Sequence, residues 1–222
     1  MPAVTFPIEG GEGQGYLALP PGGSGPGVLL LHAWWGLTAP FRAASDRLAA
    51  AGFVVFAPDL YGGETAATID EAQAMVSRPD FEVRHRRANG ALTYLRGLQG
   101  VRGSTIGLVG FSMGGSWSSL LASEHPDVVA AVALFYDDSG LEPGTKAAVI
   151  GHYGDRDEFA DVAAIDQVVA QWRSIVPDAV DYRYPGAHHW FVEENQPDYY
   201  DAEATELAWS RTIDFLAANL TA

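Results

Sequence analysis

The chain has 222 residues, 48% of them hydrophobic, and its 13 basic and 28 acidic residues give a formal net charge of −15. That charge repels phosphate backbones and anionic headgroups, so neither nucleic acid nor a membrane surface is an expected partner. Having no cysteine, the chain can form no disulfide, no thiolate metal site and no cysteine nucleophile. The first residues lack the basic and apolar regions of a signal peptide, and no apolar run approaches the about 20 residues of a spanning helix. A single cytoplasmic domain over residues 1–222 is expected.

Two short strands are predicted first, over Val4 to Ile8 and Gly15 to Leu19, followed by the loop "PPGGSGPG". Val28 to His32 then reads as a buried strand, Phe41 to Ala51 as a helix closed by Gly52, and Phe53 to Ala57 as a strand. Helices follow over Ile69 to Ser77 and Phe81 to Leu98. The second half alternates in the same way, with strands over Thr105 to Val109, Val128 to Leu134, Ala147 to His152 and Ala179 to Tyr184. Its helices run over Met113 to Ser123, Val162 to Ile175 and Ala202 to Leu220. Short β-branched apolar runs separated by helical patterns make βαβ units, hence an α/β fold: a mostly parallel sheet with helices on both faces. In such sheets reactive groups gather beyond the carboxyl ends of the strands.

One of those ends carries "LVGFSMGGSW", in which Gly110-Phe111-Ser112-Met113-Gly114 fits the G-x-S-x-G nucleophile elbow. A strand before it and a helix after it meet the motif's structural condition. Serine needs a histidine to take its proton, and the histidine needs a carboxylate to fix its tautomer. In this topology both follow the serine, acid first. "GDRDEFAD" supplies the acid, with Asp157 preferred and Asp155 the alternate, and "YPGAHHWF" supplies His189 next to His188. The order Ser112, Asp157, His189, each just after its own strand, outweighs the reading of these groups as turn or surface residues. A metal cluster of His152, Asp155, His188 and His189 is chemically conceivable but lacks ligand spacing, so no metal and no cofactor is expected.

"LLLHAWWGL", "RLAAAGFVVFAPDLYGG", "GFSMGG", "GDRDEFA", "YPGAHHWF" and "RTIDFLAANL" together resemble the dienelactone hydrolase family of the α/β-hydrolase fold, through most of the chain. The resemblance implies Ser112 as nucleophile, Asp157 as acid and His189 as base, with the N–H groups of Trp34 and Met113 as oxyanion hole. Three positions depart from the family's name-giving enzymes. Those have cysteine where this chain has Ser112, a glutamate where it has Ala33, and a substrate-binding arginine where it has Glu193. A substrate carboxylate would meet Glu193 and Glu194 and be repelled.

Trp35, Tyr136, Trp190 and Phe191, with Trp34, are expected to wall an apolar pocket at this sheet edge. His32 is expected to shape the oxyanion loop by a hydrogen bond, and His85 and His125 to be exposed. The expected activity is hydrolysis of small, largely uncharged carboxylic esters or lactones through an acyl-enzyme, by a monomer or small homo-oligomer. The alternatives are a non-catalytic binder of a small ligand, and an acyltransferase or thioesterase on the same site.

Overall fold

The computed structural model describes residues 4–220. The chain forms β1 (Val4–Ile8), β2 (Gly11–Ala18), β3 (Gly25–Leu31), α1 (Ala39–Ala50), β4 (Val54–Pro58), α2 (Ile69–Val76), α3 (Phe81–Gly97) and β5 (Val101–Phe111). It continues through α4 (Met113–Glu124), β6 (Val129–Phe135), β7 (Ala148–Gly154), α5 (Val162–Ile175), β8 (Val180–Tyr184) and α6 (Ala202–Asn219). One eight-stranded sheet runs in the order β1-β2-β4-β3-β5-β6-β7-β8, antiparallel at β1, β2 and β4 and parallel from β4 onward.

The alternation of side chains along each strand divides the core in two. Val28, Leu30, Val55, Val109, Ala131, Ala133 and Phe135 face one layer, closed by α1 and α6. Leu29, Leu31, Val54, Phe56, Leu108, Val132 and Leu134 face the other, closed by α3, α4 and α5. Both faces are therefore dry, which is why these strands read as continuous apolar runs.

Three strands start earlier than the sequence reading has them, β3 among them at Gly25 rather than Val28. β2 starts at Gly11, because pairing with β1 (Ile8↔Gly11, Phe6↔Gly13) carries the hairpin through glycines that have no apolar alternation. β5 reaches back to Val101, pairing with Gly25 and Pro26 ahead of an irregularity in the β3–β5 register.

Across the parallel part, Leu31, Gly110, Leu134, Gly151 and Asp181 pair in one row, so β3, β5, β6, β7 and β8 end at a common rim. Buried His152 braces that rim from below. Thr212 gives its hydroxyl proton to Ala208 O (2.9 Å), so its oxygen accepts from His152 Nε2–H (2.9 Å), leaving Nδ1 to accept the Tyr184 hydroxyl (2.7 Å). The imidazole thus joins β7 to β8 and α6 as a neutral ring. Burial above all, and Arg211 beside it, push its pKa down to about 3 from 6.5.

Below pH 6.5 the unfolded chain takes up a proton that folded His152 refuses, so this group costs stability as pH falls from about 6.5 towards 3. Urea unfolding of wild type and His152→Asn between pH 4 and 7 should therefore give a steeper acid loss for wild type, by at most about 1.4 kcal/mol per pH unit. Parallel pH profiles would mean that His152 is not held neutral.

Candidate active site

β5 ends at Phe111 and α4 begins at Met113, so the whole reversal falls on Ser112, whose φ of +48° and ψ of −117° lie where non-glycine residues are strained. A conformation of this kind costs about 1–3 kcal/mol and persists only where neighbouring structure enforces it. Here the Ser112 N–H donates to Phe135 O (2.9 Å) and its carbonyl accepts from Gly115 N–H (2.6 Å). The flanking glycines are dictated by space. A Cβ at Gly110 would come within 2.4 Å of Gly114 O, and one at Gly114 within 2.0 Å of Leu31 O. Both obstacles are backbone, so no rotamer change relieves them.

Asp157 and His189 follow β7 and β8. His189 Nδ1 lies 2.7 Å from Asp157 Oδ2, with both side chains buried. Asp157 Oδ1 accepts two backbone N–H bonds, from Phe159 (2.8 Å) and Ala160 (2.9 Å). Burial alone would raise the Asp157 pKa. The bond and charge of His189 outweigh it, aided by the two amides, and the pKa falls below the usual carboxylate value. Nδ1 is therefore the proton donor to Asp157, and Nε2 is left as the free acceptor. Among the described residues no hydrogen bond joins Ser112 Oγ to that ring. Asp155 does something else, accepting the Gly186 N–H (2.6 Å) to close the turn after β8. His188 pairs with Glu158 at the surface.

The loop after β3 is pinned from within. His32 Nδ1–H donates to Ala33 O (2.7 Å), and Nε2 accepts the Leu60 N–H (3.1 Å), which fixes one neutral tautomer. Burial lowers its pKa, favouring the same form. Gly36, at φ +87°, completes the bend, and Trp35 O accepts Ala66 N–H (3.0 Å). The backbone N–H groups of Trp34 and Met113 carry no hydrogen bond within the chain among the described residues. Met113 N–H stands at the start of α4, where the helix dipole favours negative charge.

Aromatic rings surround the pair. Tyr136, the second non-glycine residue at positive φ (+43°), lies with its ring 4.6 Å from the His189 ring, and Phe159 lies 4.8 Å from it. Trp190 is buried beneath Trp34, Trp35 and Phe159, while Phe191 turns into the core against Tyr184 (5.0 Å). Half-buried Trp34 and Phe159, which is 47% exposed, are thus the aromatic surface open to solvent. Sequence reading passed over Phe159, whose ring stands against His189. It also passed over Tyr61 and Arg84. The Tyr61 hydroxyl meets Met113 Sδ (3.1 Å), and Arg84 is neutralised by Asp80 (2.5 Å) while donating to Val76 O and Arg78 O. His85 and His125, expected to be exposed, are half-buried and bonded to Glu124 and Asn89.

Residues 14–220 match the model of the dienelactone hydrolase family. The chain belongs to that family. It is 32% identical to Protein usf of Aquifex pyrophilus over 98% of both chains, and 28% identical to a carboxymethylenebutenolidase of Rhodococcus opacus over 90% of this chain and 83% of that one. Among solved structures it resembles a dienelactone hydrolase-like promiscuous phosphotriesterase from metagenomic libraries, with a TM-score of 0.85, 22% identity and coverage of 99% and 98%. The fold is that of the α/β-hydrolases, and the family is one of hydrolases.

Glu193 stands where the resemblance implies an arginine. Its side chain is 2% exposed and accepts the Tyr136 hydroxyl at 2.6 Å through Oε1. Burial raises its pKa to about 7, against the opposing effects of Tyr136 and the Trp35 indole. Asp137, next along from Tyr136, is also buried and also raised to about 7 by desolvation, despite the bond from the Ser139 hydroxyl (2.7 Å).

Gly114→Ala tests the tightness of the elbow. Forcing a methyl against Leu31 O must displace α4, and a loss of about 3 kcal/mol or more is expected in chemical denaturation. A wild-type midpoint would show that helix and strand are not in the contact described.

Proposed function

We propose that the chain is a serine hydrolase of small, largely uncharged carboxylic esters or lactones, working through an acyl-enzyme on Ser112, His189 and Asp157. The observation that carries the reading is the buried 2.7 Å pair of His189 Nδ1 and Asp157 Oδ2, at the rim where β5 delivers Ser112 on a strained turn. In the neutral ring the pairing puts the proton on Nδ1 and leaves the Nε2 lone pair free to take one, as a general base requires. Catalytic hydrogen bonds tighten in the Michaelis complex, and the Ser112–His189 bond forms there.

Ser112 Oγ attacks the ester carbonyl while His189 Nε2 takes its proton, and Asp157 stabilises the resulting imidazolium. The oxyanion accepts from the unspent N–H groups of Met113 and Trp34. His189 then protonates the leaving alcohol, or the ring oxygen of a lactone, and the acyl group stays on Ser112. Water, deprotonated by the same Nε2, attacks the acyl carbon, and Ser112 leaves with the proton returned to it. No step needs a cofactor.

Ser112→Ala should lower kcat on p-nitrophenyl esters and lactones by roughly 10⁴-fold or more with an unchanged melting curve, and should abolish labelling by a fluorophosphonate. Activity near wild type would move the nucleophile elsewhere. A wild type that binds esters without turnover would make the chain a binding protein, and transfer to added alcohol in place of water would make it an acyltransferase.

The site's charge sets a second expectation. Glu193, Glu194 and Glu158 follow or flank the base, against Arg84, which is paired with Asp80, and exposed Arg156, which precedes Asp157. A neutral ester should be preferred over its carboxylate-bearing isostere by on the order of tenfold in kcat/KM, and added salt should narrow the gap. Equal rates, or preference for the anion, would refute this account of specificity.

A further inference from the structure

We infer that Glu193 is a positioning residue: through the hydroxyl of Tyr136 it fixes the ring against which His189 rests, and so sets the imidazole's orientation towards Ser112. This deepens the serine-hydrolase reading and rests on it.

Asp157 holds the His189 ring by one edge, at Nδ1, which leaves the ring free to swing about that contact. Three aromatics stand against it: buried Trp190, its neighbour in the chain, edge-on at 5.7 Å, and two tilted rings of unlike character from outside its loop. Phe159, at 4.8 Å and 53°, is half exposed and anchored by its backbone. Tyr136, at 4.6 Å and 52°, is 1% exposed and tied at both ends. Its N–H donates to His152 O (2.9 Å), and its hydroxyl donates to Glu193 Oε1 (2.6 Å). Of the rings that do not move with the base's own loop, the rigid one is therefore Tyr136, and the bond that stops its tilting is the one to Glu193. A hydroxyl bonded to a carboxylate is among the stronger neutral-to-charged contacts, and it offsets the strain of the +43° φ.

Glu193 is itself held in the loop that carries the base. Its N–H donates to Trp190 O (2.9 Å) and its carbonyl accepts Gln196 N–H (2.9 Å). The carboxylate thus closes a circuit from His189 along its own loop, across to the end of β6, and back through the Tyr136 ring to His189. Its second oxygen has no hydrogen-bond partner, nor has the buried indole N–H of Trp35, the group in the oxyanion loop that favours its ionised form. Burying a carboxylate here is costly, and plain packing would be served better by an apolar residue of this size. The arrangement makes sense when the orientation of Tyr136 is what is being held.

Tyr136→Phe keeps the ring and loses the tether. It should lower kcat on a p-nitrophenyl ester by about 10–100-fold, as expected for a misaligned base, with KM changed less than about threefold. Glu193→Ala should match it, and the double variant should be no worse than either single one, because one bond is lost in all three. Glu193→Gln, which still accepts from the hydroxyl, should recover most of kcat. Melting curves identify any variant that fails to fold, and Tyr136→Phe, the gentlest change, decides the matter if Glu193→Ala does. A folded Tyr136→Phe with wild-type kcat, additive losses, or no recovery in Glu193→Gln overturns the proposal. Wild-type Ser112 inert to fluorophosphonate overturns the hydrolase reading and this proposal with it, whereas normal labelling beside an unaffected Tyr136→Phe overturns this proposal alone.

Discussion

The backbone of α4 meets the end of β3 so closely at Gly114 that a methyl group would lie 2.0 Å from Leu31 O and 2.8 Å from His32 O. Much at the rim depends on that approach. Because the helix starts against the neighbouring strand, the chain must reverse within one residue, and the left-handed turn at Ser112 is the result. The same proximity brings the first N–H of α4, on Met113, alongside the loop that begins at His32 and carries the N–H of Trp34. The strained turn at Ser112 and the start of α4 beside the end of β3 are thus two consequences of one backbone contact.

The strain this creates is held by the sheet. Ser112 and Tyr136 are the two non-glycine residues at positive φ among those described, and they sit just past the ends of adjacent strands. Each N–H continues the ladder beyond its strand, Ser112 to Phe135 O and Tyr136 to His152 O, both at 2.9 Å. The parallel register therefore extends past the formal strand ends and clamps both residues, Ser112 at the elbow and Tyr136 against the His189 ring. His152 lies one step down this ladder, and its neutral ring, bonded to Tyr184 and Thr212, keeps β7, β8 and α6 in the register that the clamp requires.

Much of this was legible in the chain. Each strand and helix had a recognisable signal, because strands buried on both faces are continuous apolar runs and helices on a dry sheet carry a single apolar stripe. The places of Ser112, Asp157 and His189 just past the ends of β5, β7 and β8 were legible in their order and spacing. Where reading failed, the residues lacked local contrast. Gly11 to Gly15 is a strand whose only support is its partner. Glu193, beside Glu194, looks like part of a solvated acidic run, yet one carboxylate is 2% exposed and the other exposed, a difference set by a tyrosine 57 residues away. Phe159 looks like an ordinary apolar residue in a polar loop, and its place over the imidazole follows from two backbone bonds to Asp157 that no spacing rule reports.

The three positions that separate this chain from the name-giving dienelactone hydrolases form one electrostatic argument. A serine hydroxyl stays protonated at neutral pH whatever lies near it, so no charged group ahead of the oxyanion loop is needed to govern its ionisation. Ala33 occupies that position fully buried, its carbonyl spent on His32, and a carboxylate there would enter the core unpaired. On the proposed reading the substrate is largely uncharged and needs no substrate-binding arginine at 193. Position 193 is then free to carry a carboxylate, whose burial is tolerated because Tyr136 donates to it and because a pKa near 7 leaves it partly protonated at neutral pH. On the proposed reading, a tyrosine–carboxylate tether behind His189 thus stands where the resemblance implies a cation for a substrate carboxylate.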